Sequence, residues 1–155
     1  MSGLNKLIEE WIEKADHDLG SAKLIYLHIP QYFDTIAFHC QQATEKYLKA
    51  ILHYYDVEFQ RSHNLVYLLD LLSQKIDIPE EVYNKAILLN GFSVQIRYPD
   101  NTIHLTKEEL ETAIQISQEF REMAVKTVGL NELTDDSIEQ PSPDGLNEDF
   151  TFIPN

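Results

Sequence analysis

Arg97 and His104 are the two side chains in this sequence best suited to act together on a phosphodiester. They lie in the segment Gly91-Phe92-Ser93-Val94-Gln95-Ile96-Arg97-Tyr98-Pro99-Asp100-Asn101-Thr102-Ile103-His104, ahead of the last long helical pattern. Arginine keeps its charge and grips phosphate with two parallel N–H donors. Histidine titrates near neutral pH, so it can take a proton from a ribose 2′-hydroxyl or return one to a leaving oxygen. The pair suffices for RNA cleavage without a metal. Asp100 is placed to orient the imidazole, and Tyr98 to stack on a base. The alternative for Arg97 is an ion pair with a carboxylate, and for His104 a solvated loop position near a helix N-terminus, where a positive charge gains nothing from the dipole. Pro99 separates the two residues and removes a backbone donor, so they do not share one unbroken helix.

Other polar groups read differently. Asp16-His17-Asp18 contains a His-Asp dipeptide, but nothing organises further ligands around it, and it reads as a solvated face of the first helix, with Asp18, next to Leu19, the one member that could point into the bundle. Gln41-Gln42-Ala43-Thr44-Glu45-Lys46-Tyr47-Leu48-Lys49-Ala50 places Glu45 and Lys49 one helical turn apart. It is expected mainly as a solvated face; the competing reading is a polar cluster facing the Arg97 loop or a second subunit. His63 follows Ser62 and reads as a first-turn residue more than a catalytic one. No Glu-x-x-His pair, P-loop, dinucleotide turn or nucleophile elbow occurs, and no metal or cofactor is expected.

The elements that must position these groups are helical. At 155 residues the chain has room for one core. Leu4, Leu7, Ile8, Trp11, Ile12, Ala15, Leu19, Ala22 and Ile25 recur at helical spacing, in a first helix that ends near His28–Pro30. The second runs from about Asp34, as N-cap, to Tyr55, and its small residues Ala37, Cys40 and Ala43 allow close approach of a neighbour. Ser62 is expected to cap a third, short helix carrying Leu65, Leu68, Leu69 and Leu72. A fourth starts near Pro79 and stops at Asn90-Gly91. The segment from Gly91 to Ile103 reads as an extended loop or broken helix. Thr106-Lys107-Glu108-Glu109 is a capping box that opens the last helix, which Gly129 ends. The expected fold is all-α: an up-and-down bundle of four main helices plus a short extra helix. Residues 1–129 form the bundle. Residues 130–155 read as a flexible, acidic C-terminal tail, with Phe150-Thr151-Phe152-Ile153-Pro154 an apolar patch at its end.

Composition narrows the partners. The net charge is −14, and seven of the 26 acids fall in residues 130–155, which hold no Lys or Arg; the body keeps 19 acids against 12 bases. Broad binding to duplex DNA needs a basic face that this balance does not favour, so any RNA contact is local. The single Cys40 excludes an intramolecular disulfide and a cysteine zinc cage, and its place on an apolar stripe makes it a small buried hydrophobe. No stretch approaches the length of a membrane span, and the N-terminus lacks a signal-peptide layout, so the expected location is the cytoplasm.

Taken in order, Trp11…Ala15-x-x-Asp18-Leu19-x-x-Ala22, Phe38-x-x-Gln41-Gln42-Ala43-x-Glu45-Lys46-x-Leu48-Lys49-Ala50, Ser62-His63-Asn64-Leu65-x-x-Leu68 and Arg97-Tyr98-Pro99-Asp100 resemble the HEPN family, the higher eukaryotes and prokaryotes nucleotide-binding domain. The resemblance spans about residues 7–128. It implies a helical bundle that dimerises. Active members are metal-independent ribonucleases whose Arg-x4–6-His motifs meet at the dimer interface, and Arg97-x6-His104 fits the outer limit of that spacing. Many bacterial members stand beside a small nucleotidyltransferase, as toxin–antitoxin or related pairs. On this footing Arg97 and His104 are the catalytic candidates, and Tyr98, Asp100, Lys46 and His63 the supporting or binding ones. The expected function is a dimeric module that binds a nucleotide, RNA or a nucleotidyltransferase partner. The alternative is a metal-independent endoribonuclease with a composite site.

Overall fold

In the computed structural model, residues 2–95 and 104–129 are described. The segment 96–103, with Arg97, Tyr98 and Asp100, lies outside them, as does the acidic tail 130–155. Five helices and no strand occur among the described residues: α1 Ser2–His28, α2 Phe33–Tyr54, α3 Leu65–Leu72, α4 Glu80–Gln95 and α5 Lys107–Val128.

α2 is the centre of the bundle and touches each of the other four helices, α1 most extensively. Small residues explain that closeness. Ala15 and Ala22 of α1 and Ala37, Cys40 and Ala43 of α2 are fully buried, so the two backbones approach with little side chain between them. Ile8, Ile12 and Leu19 complete the buried stripe of α1, while Leu7, expected on that stripe, lies at its exposed margin. From α3, Leu65, Leu68, Leu69 and Leu72 close the core on one side; from α5, Leu110, Ala113, Ile116, Phe120 and Ala124 close it on another. Burial pushes the Cys40 thiol up to about 12. It stays protonated and inert, as a small hydrophobe in the core.

Three helix boundaries correct the sequence reading. Asp34 is not the cap of α2: it sits in the first turn, and Tyr32 precedes the helix without a side-chain cap bond. The carboxylate still favours that end through the helix dipole. The cap of α3 is Asn64, whose side-chain oxygen accepts from the Val66 and Tyr67 amides at 3.0 and 3.3 Å; Ser62 instead accepts from the Asn64 amide at 3.1 Å. α4 does not stop at Asn90-Gly91 but runs on to Gln95. Gly91 costs a helix interior only about 1 kcal/mol, and burial of Phe92 in the next position offsets it.

The end of α2 has its own logic. Asp56 is left-handed at φ 56°. Its amide donates to the His53 carbonyl at 3.1 Å, and the Val57 amide to the Leu52 carbonyl at 2.9 Å, the paired bonds of a Schellman terminus. The capping box of α5 is present in full: Thr106 Oγ1 accepts from the Glu109 amide at 3.1 Å and Glu109 Oε1 from the Thr106 amide at 3.0 Å. Gly129, at φ 71°, ends that helix. Among the described residues no helix is long and apolar enough to cross a membrane.

Candidate functional site

α2 places its polar residues in the interior, contrary to the expected solvated face. Gln41, Thr44, Glu45 and Lys49 are all buried. The reason is positional: a helix packed on several sides has no broad solvated face, so polar groups between its neighbours must find partners there. Glu45, only 4% exposed, accepts from Lys49 Nζ at 3.1 Å and from His63 Nδ1 at 2.8 Å. Gln41 Nε2 donates to the His63 carbonyl at 2.7 Å, and Gln42 Nε2 to Gln41 Oε1 at 3.1 Å. The Lys49 ammonium also lies over the Trp11 ring, 5.3 Å from its centroid, and 5.8 Å from that of Phe59. Its charge is therefore held by one carboxylate and two aromatic faces.

Because a carboxylate accepts, His63 Nδ1 carries the proton in this bond. The other ring nitrogen, Nε2, is left for solvent, and the side chain is 67% exposed. His63 is thus an exposed imidazole held in a fixed tautomer by a buried acid. It precedes the Asn64 cap and belongs to the α2–α3 connection, not to the first turn.

A second network joins α1 to α2. Asp18, read as part of a solvated face, accepts from His39 Nδ1 at 2.8 Å and from the Lys46 ammonium. Lys46 is thereby anchored on α1. A third ties in α5: Asp16 accepts from the Tyr47 hydroxyl at 2.5 Å and from Arg121 Nε at 2.8 Å. Burial, and then the bond to Asp16, hold the Tyr47 hydroxyl above its usual range. Only His17 of the Asp16-His17-Asp18 run is largely solvated. Alternating residues on α1 face different neighbours, which the dipeptide alone does not reveal. The better signal was Gln41, Glu45 and Lys49 at successive turns, one polar row on a helix that is otherwise apolar on several sides.

His104 lies elsewhere. It is exposed, just ahead of buried Leu105 and the Thr106 cap, and its ring meets the edge of Phe33 at 5.1 Å between centroids. Phe33 opens α2, immediately after the exposed Ile29 and Tyr32 of the α1–α2 turn. Beside it, Tyr26, Leu27, Pro30, Leu105, Lys107 and Leu110 line a groove of about 440 Å3. Leu27 is 72% exposed, the most exposed large hydrophobic residue of the described chain. The structure therefore brings His104 together with an apolar patch at one end of the bundle. It anchors His63 on Glu45 of α2 and Lys46 on Asp18 of α1, apart from one another. Among the described residues no group of three or more His, Cys, Asp or Glu is arranged to hold a metal ion.

Comparison with known proteins supplies the family. The family model described as the HEPN domain matches residues 8–128. The chain is similar in structure to TT1696 from Thermus thermophilus, with a TM-score of 0.67 and 25% identity, covering 77% of this chain and 97% of that one. It is also similar to ST0689, an archaeal HEPN homologue, with a TM-score of 0.64, 20% identity and coverage of 78% and 97%. No functionally curated protein matches.

Proposed function

Given that this chain belongs to the HEPN family, we propose that it is a dimeric binding module whose working surface is the His104 end of the bundle. One observation carries this reading: the exposed Leu27, Ile29 and Tyr32 surround the turn that leads to Phe33 and His104. Exposed large hydrophobics that form one contiguous patch mark contact surfaces, whereas singly scattered ones do not. A two-fold arrangement would put the same patch of both copies face to face and bring two His104 side chains into one interface. Arg97, seven positions earlier, would supply the phosphate contact there, with Tyr98 and Asp100 beside it. The ligand class is a nucleotide or single-stranded RNA engaged locally, because a net charge of −14 opposes broad polyanion binding. The resemblance adds a small nucleotidyltransferase as the protein partner.

The second reading is a metal-independent endoribonuclease, in which Arg97 stabilises charge on the scissile phosphate and His104 is the acid–base group. Solvent exposure of His104 favours it. One experiment separates the two. Labelled single-stranded RNA is incubated in chelator with wild type, Arg97→Ala and His104→Ala, and both retention and integrity are measured. The binding module retains uncut RNA and loses retention in Arg97→Ala. Cleavage by wild type that disappears in both variants establishes the nuclease instead. RNA neither retained nor cut removes RNA from the ligand class and leaves the nucleotide and the partner protein to be titrated.

A further inference from the structure

We infer that His63 is a phosphoryl-acceptor site, a modification position on the α2–α3 connection separate from the His104 end. Three features meet at this side chain. Its Nδ1–H is bound at 2.8 Å to Glu45, so that in the neutral ring the lone pair lies on Nε2, the nitrogen turned away from Glu45. The ring is 67% exposed while its carboxylate partner is 4% exposed, so an electrophile reaches the nitrogen and not the acid that orients it. The backbone behind the ring is pinned as well, by Gln41 on the His63 carbonyl at 2.7 Å. Nucleophile, orienting carboxylate and a compensating buried cation, Lys49, form one chain of contacts. This is the arrangement that activates a side-chain nucleophile.

The surroundings also suit the product. His63 stands immediately before the Asn64 cap of α3, where the helix dipole favours an added negative charge. Arg61, two residues upstream and exposed, can pair with a phosphoryl dianion.

The step balances without any redox change. Nε2 donates its lone pair to phosphorus of a small activated donor, an acyl phosphate or phosphoramidate. The N–P bond forms as the donor's P–O or P–N bond breaks, and acetate or ammonia departs with that electron pair. The positive charge left on the ring is held by Glu45 through the retained Nδ1–H, and that proton passes to solvent when the ring returns to neutrality.

His17 provides an internal control. Its side chain is 74% exposed, but its nearest carboxylate, Glu13, lies 4.0 Å away and is itself exposed, so the ring is not oriented. Full-length wild-type protein is incubated with phosphoramidate, and site-resolved mass spectrometry follows each histidine with time. His63 is expected to gain one acid-labile phosphoryl group measurably faster than His17, because only its ring is held by a buried carboxylate. His63→Ala should abolish the fast phase while leaving the slow labelling of His17 unchanged. Glu45→Gln, checked for folding by circular dichroism, should slow it towards the His17 rate. Equal rates at His63 and His17 in the wild type, or a fast phase that survives in His63→Ala, overturns the assignment. The wild-type comparison decides the matter even if the Glu45 variant does not fold.

Discussion

Replacing Glu45 with alanine is expected to lower the unfolding free energy by about 3 kcal/mol, the lower part of the range for breaking a buried ion pair. Glu45 and Lys49 are 4% and 8% exposed. Without the carboxylate, the ammonium has no counter-charge and keeps only the Trp11 and Phe59 rings, 5.3 and 5.8 Å from their centroids. Those aromatic contacts are the reason for choosing the lower end. The His63 link adds little, because the imidazole is largely in water. Replacing both members by apolar residues, Glu45→Leu with Lys49→Met, should recover most of the loss, since the cost lies in the orphaned charge and not in the missing bond. Urea unfolding of the single and double variants checks this. A loss below about 1 kcal/mol in Glu45→Ala would mean that the Lys49 charge escapes to water in the variant.

Leu48→Ala is expected to cost a similar amount, about 3 kcal/mol, by another route. Leu48 is fully buried on the helix that touches all the others, so its deletion leaves a cavity that no single neighbour can fill by moving. For a domain of this size that corresponds to a fall in melting temperature of roughly 10 °C. Leu48→Met, which keeps the volume, should cost less than about 1.5 kcal/mol. The two variants calibrate functional assays. Leu48 is fully buried and offers no surface to a ligand, so folded Leu48→Ala should bind whatever the wild type binds. A melting temperature that falls equally in Leu48→Met would point to shape and not to the cavity.

Helix class and most helix limits were legible in the sequence because they depend on local chemistry. The capping box at Thr106 and Glu109 and the stop at Gly129 need only residues within one turn, and both are present as read. The start of α3 was misplaced by two residues because Ser62 and Asn64 are both good caps, and geometry alone selects the one whose oxygen reaches the following amides. α4 was ended too early because Asn90-Gly91 is a stop signal only when nothing downstream is buried, and Phe92 is. The polar chemistry of α2 was less legible. Helical spacing shows that Glu45 and Lys49 share a row, but not that α1 and the α2–α3 connection cover that row. The links from Glu45 to His63, Asp18 to Lys46 and Asp16 to Arg121 join residues 18, 28 and 105 positions apart, separations that helical periodicity does not encode.

The measurement that bears most directly on the proposed function is sedimentation equilibrium of the wild-type protein and Leu27→Glu at micromolar concentration. Leu27 is 72% exposed, so the charge should leave the folded monomer intact while placing a carboxylate in the interface with His104. A wild-type dimer and a monomeric, equally helical Leu27→Glu are expected. A wild-type protein that stays monomeric and takes up neither nucleotide nor partner, or a Leu27→Glu variant that dimerises as tightly as wild type, would contradict the proposed function.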